Sequence, residues 1–128
     1  MAIKSFEDLI CWQRSRELVR LIYRMTQSAR FEKDFGLKDQ IRRSAVSVMS
    51  NIAEGFGRGG NKELTQYLYI AKGSLAETRS ILYVALDMNY IDEKGFQTAR
   101  TVTQEIHNII TAFIKSIKNR STTDLKAM

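Results

Sequence analysis

A chain of 128 residues has room for one domain with a proper core, and 44% hydrophobic with 27% charged residues is ordinary for a globular protein. Twenty Lys and Arg against fourteen Asp and Glu leave a net charge of +6, which draws polyanions and suits nucleic acid or an acidic protein partner. The lone cysteine, Cys11, excludes an internal disulfide, and no segment approaches the roughly 18 apolar residues of a membrane span, so a cytoplasmic protein without a membrane partner is expected.

Proline is absent, which favours long uninterrupted helices. The first predicted helix runs from Phe6 to about Ser28, with Ser5 as cap and Asp8 in a capping-box position. At steps of about 100° per residue, Leu18, Leu21, Ile22 and Met25 fall together with Ile10 and Cys11, while Arg16, Arg20 and Arg24 form a stripe on the opposite side. The second helix spans about Asp34 to Phe56, with Ile41, Ala45, Val48, Met49, Ile52 and Phe56 on one face. The glycine-rich run from Gly55 to Gly60 ends it, and Asn61 is the expected cap of a third helix reaching about Met88. Apolar residues cover a broad face of that third helix, enough to touch neighbours on two sides. After a turn capped by Asp92, a fourth helix from about Glu93 to Asn119 places Ala99, Val102, Ile106, Ile109, Phe113 and Ile117 at the spacing of a bundle seam. Short connections force antiparallel neighbours, so the predicted fold is all-α: an antiparallel up-down-up-down four-helix bundle over residues 1–119, followed by a polar tail at 120–128.

Catalysis finds little support in this pattern. Cys11 and His107 are the only residues of their kinds, too few for a zinc site, and Cys11 falls on the apolar face. The letters Gly55-Phe56-Gly57-Arg58-Gly59-Gly60 match G-x-G-x-x-G, but a dinucleotide fingerprint follows a strand, and here a helix precedes it. No metal, cofactor or enzymatic activity is expected. Binding has more to work with. Arg16, Arg20 and Arg24 can follow a phosphate backbone, and Arg58 with Lys62 and the amides opening the third helix can hold one phosphate. On the second helix, Gln40, Arg43, Ser47, Asn51 and Glu54 recur as a polar stripe. Glu77 lies among apolar positions of the third helix, so a polar network of Arg42, Arg43, Asn51, Glu54 and Glu77 is expected, with Arg42 or Arg43 meeting Glu77. Tyr67, Tyr69 and Tyr83 are candidates for an oligomer interface, because tyrosine is enriched in interface cores.

The stretches Phe6–Leu18, Gly36–Gly59 and Glu63–Leu82 together carry a family resemblance. The block from Gln40 to Gly55, followed by Ala71 to Glu77, is its specific part. The chain resembles the four-helix-bundle family that includes proteins encoded in intervening sequences of bacterial large-subunit ribosomal RNA genes. It departs from that pattern at Met49, where relatives carry a proline in a Ser-x-Pro-x-Asn stretch, and this implies a straighter second helix. The resemblance implies an antiparallel four-helix bundle and ring-like homo-oligomers, often pentamers. It extends to the accessory variability determinant proteins of diversity-generating retroelements, which look like basic barrels that bind nucleic acid and a reverse transcriptase. It transfers no catalytic residue. The expected function is therefore a non-enzymatic homo-oligomer that binds RNA or DNA through basic surface residues, and the alternative is an adaptor that binds another protein.

Overall fold

The computed structural model describes residues 2–119, and the expected tail at 120–128 lies outside them. Every element among the described residues is helical. The Asp8 carboxylate accepts the backbone amides of Lys4 at 2.8 Å and Ser5 at 3.2 Å, fixing a single 3-10 turn at Phe6–Asp8. Leu9 is extended, so α1 begins only at Ile10 and runs to Met25. The expected helix to Ser28 stops three residues early for a local reason. Thr26 turns its buried hydroxyl back onto the carbonyls of Ile22, at 2.9 Å, and Tyr23, at 3.0 Å. A short α2, Ala29–Lys33, follows and places Phe31 fully inside the core, stacked on Tyr90 at 5.2 Å between ring centroids.

Asp34 opens α3, Phe35–Gly57, by accepting the Leu37 amide at 3.1 Å. The helix is continuous through Met49. It ends against Gly59, whose φ of +84° is the left-handed conformation that a side chain disfavours. Gly60 is the extended residue preceding α4, Asn61–Asp87, so Asn61 is its first helical residue rather than its cap. Asp92 accepts the Gly95 amide at 2.7 Å and starts α5, Glu93–Asn119.

The four long helices close a ring: α1 packs on α3 and α5, and α4 packs on the same two helices from the other side. Diagonal helices α1 and α4 therefore present their outer faces in opposite directions. Leu18, Ile22, Ile41, Ile52, Leu68, Leu82, Ile106 and Ile110 are fully buried between them. Each such side chain contributes roughly 1.5–3 kcal/mol by leaving water. This is the antiparallel up-down-up-down bundle.

The α3–α4 contact is held by small hydroxyl groups. Ser44 and Thr78 share a buried hydrogen bond of 2.8 Å, Ser47 and Ser74 one of 2.9 Å, and Asn51 donates to the Ser47 carbonyl at 2.8 Å and hydroxyl at 2.9 Å. The charged network expected here is corrected by these pairs. Glu77 is exposed, because it lies about 100° around α4 from Thr78, which faces α3. Arg43 pairs instead with Asp39 on its own helix at 2.7 Å, and Glu54 with Arg58 at 3.4 Å. Arg42 turns to α1, donating to the Thr26 hydroxyl at 2.8 Å. Of the five expected residues, only Asn51 joins the seam.

Candidate nucleic-acid interface

Arg16, Arg20 and Arg24 stand exposed on the outer face of α1, and none of them forms an ion pair or side-chain hydrogen bond among the described residues. Their spacing of four residues sets them about 6 Å apart along the axis, close to the rise between phosphates of a nucleic-acid strand. Arg14 does not join them. It reaches Glu17 at 3.3 Å and Glu105 of α5 at 3.2 Å, which also removes the nearest carboxylate charge from the stripe.

Arg42, expected inside the α3–α4 contact, extends this basic face. Its guanidinium lies 4.3 Å from the centre of the Tyr23 ring, one residue from Arg24, and a shallow cleft lined by Tyr23, Asp39, Arg42, Arg43, Val46 and Ser47 opens there. Nothing in α3 alone announces this role. It depends on which neighbour the long arginine side chain meets, and Tyr23 on α1 supplies that neighbour.

The turn at Arg58 and Lys62 is arranged less favourably for a phosphate. Arg58 donates to the Tyr67 hydroxyl at 2.9 Å and to Glu54 at 3.4 Å, and it lies over the Tyr67 ring at 5.4 Å. The Glu63 carboxylate reaches back over Gly60, beside the amides that would receive an anion. Lys62 is exposed at the same turn.

The three tyrosines do not share one patch. Tyr67 turns inward against Gly55 and Arg58, about 160° around α4 from Tyr69. Tyr83 is half exposed and packs edge-on against Phe96 at 4.8 Å. Tyr69 is half exposed in the groove between α4 and α5, beside Lys72, Lys115 and Lys118, a cluster that the pattern of neither helix alone reveals. The spacing that encodes it is Tyr69 with Lys72 at i, i+3 and Lys115 with Lys118 at i, i+3. The outer face of α4 is apolar around these groups, with Ile70, Val84 and Met88 each 43–51% exposed.

Cys11 and His107 are placed apart from any such cluster of partners. Cys11 is 2% exposed, and burial pushes its thiol up to about 12. His107 is held below the usual imidazole range by partial burial and by the positive charges of Lys72 and Arg79. Among the described residues no three His, Cys, Asp or Glu side chains converge as metal ligands, and no helix is long and apolar enough to cross a membrane.

Residues 7–112 match the model of a family described as 23S rRNA-intervening sequence protein. Among solved structures, the chain is similar to a protein of unknown function from the S23 ribosomal protein family of Bacteroides thetaiotaomicron VPI-5482. That similarity has a TM-score of 0.76 and 24% identity, and covers 84% of this chain and 100% of the other. It is a likeness of fold. Comparison with curated proteins gives no match.

Proposed function

The chain belongs to the 23S rRNA-intervening sequence protein family, and on that premise we propose that it is a non-enzymatic, self-associating helical bundle that binds the backbone of RNA or DNA in the cytoplasm. The observation that carries this reading is the row of Arg16, Arg20 and Arg24, exposed and without protein partners among the described residues. Arg42 on Tyr23 widens that row toward α3. Guanidinium groups set along a helix this way neutralise phosphates and release counterions, so they supply affinity with little regard to sequence. Lys62 adds a cation at one end of the bundle.

Self-association is supported by the outer face of α4. Ile70, Tyr83, Val84 and Met88 leave an apolar strip exposed that the bundle's own core does not use. Such strips on a small domain mark interfaces.

The test is a salt titration of binding to a short structured RNA, comparing the wild type with an Arg16→Ala/Arg20→Ala/Arg24→Ala variant. The expected result is weaker binding and a log–log salt dependence shallower by about three, roughly one for each phosphate that an arginine no longer neutralises. An unchanged slope would remove α1 from the interface. A wild type that ignores RNA even at low salt would leave the adaptor reading in its place.

A further inference from the structure

The groove between α4 and α5 faces away from the α1 arginines and has its own chemistry. Tyr69 of α4 is 48% exposed, and its hydroxyl accepts a hydrogen bond from Lys118 of α5 at 2.9 Å. The ammonium groups of Lys118 and Lys72 stand 5.2 Å and 5.8 Å from the centre of its ring. Together with Thr111, Ile114, Lys115 and Asn119 they line an open cleft of about 350 Å³. No carboxylate lines that cleft, although the chain has fourteen. The surplus positive charge acts on its neighbours: Tyr69 is held below the usual phenol range, first by the hydrogen bond from Lys118, and His107 further along the groove is held down after desolvation by Lys72 and Arg79.

We propose that this groove is a second nucleic-acid site, specific for single strands, in which an unpaired base stacks on Tyr69 and Lys72, Lys115 and Lys118 hold the adjoining phosphates. An exposed aromatic ring gains nothing from a duplex, whose base faces are already stacked. It gains about 1–3 kcal/mol from each unpaired base it receives. Three lysines beside one ring match the alternation of base and phosphate along a strand. The arginine row on α1 has no exposed aromatic ring in its line and suits paired and unpaired backbones alike. The inference deepens the nucleic-acid reading but uses different residues, so the two can fail separately.

The experiment measures binding of a labelled ten-nucleotide oligoadenylate and of a blunt RNA duplex at low salt, to the full chain and three variants. Tyr69→Ala is expected to weaken the single strand about tenfold and leave the duplex within twofold, while Tyr69→Phe, which keeps the ring, binds the single strand like the wild type. Lys72→Ala/Lys118→Ala is expected to flatten the salt dependence of single-strand binding by about two. Single-strand affinity unchanged in Tyr69→Ala, or weakened equally for the duplex, would overturn the proposal. So would adenosine monophosphate competing as well as the oligonucleotide, because the groove would then hold a free nucleotide rather than a strand. The α1 reading is judged separately by the duplex and the triple arginine variant.

Discussion

At the scale of single residues, environment decides which groups are available. Cys11 has the nucleophile's element but not its setting, since almost no solvent reaches it and burial disfavours the thiolate. A thiol-reactive disulfide reagent at pH 8 is expected to label the native chain far more slowly than the chain in denaturant; equal rates would show that the first helix opens readily. The same burial sets the sign of a pH effect. The folded thiol titrates near 12 against an ordinary value of 9.0, so its contribution to stability is full below pH 9 and is lost as pH rises toward 12. The arginines of α1 are the reverse case. They are accessible because Arg14 has drawn Glu17 and Glu105 to itself, at the small energetic value of exposed ion pairs.

At the scale of elements, the α3–α4 contact sets how closely two helices approach. A Cβ built on Gly55 would stand 2.5 Å from the Cβ of Tyr67, an approach that real side chains do not make. Gly55→Ala is therefore expected to destabilise the bundle by about 1–3 kcal/mol through overpacking. Gly73, inside α4 with open space around its Cα, should behave oppositely, and Gly73→Ala should stabilise by about 0.5–1 kcal/mol. Thermal unfolding of the two variants checks both signs, and equal shifts would contradict the close crossing at Gly55. The same contact shows where the sequence was legible. Helical periodicity located all four long helices, and Asn51 was recognisable as a seam residue beside Ser47. The hydroxyl pairs Ser44–Thr78 and Ser47–Ser74 were not, because their partners depend on rotation between helices rather than on spacing within one. Glu77 misled for the same reason: it neighbours Thr78 in sequence but points about 100° away. The break at Thr26 and the buried Phe31 of α2 were invisible to a pattern that continued across them.

At the scale of the whole molecule, the ring of four helices separates three surfaces. The α1 face carries arginines, the α4–α5 groove carries lysines around Tyr69, and the outer strip of α4 carries Ile70, Val84 and Met88. The arginine row could be read from sequence, because one helix suffices to align it. The lysine groove required two helices to be docked in register, and Arg42 required a third to turn toward. An association through α4 would repeat both basic faces around the assembly, so that modest affinities in each copy add along one nucleic acid. Light scattering coupled to size exclusion, with and without a short structured RNA at low salt, tests this most directly. A multimer whose mass rises when RNA is added is the predicted result, and a lone monomer, or a multimer whose mass RNA leaves unchanged, would contradict it.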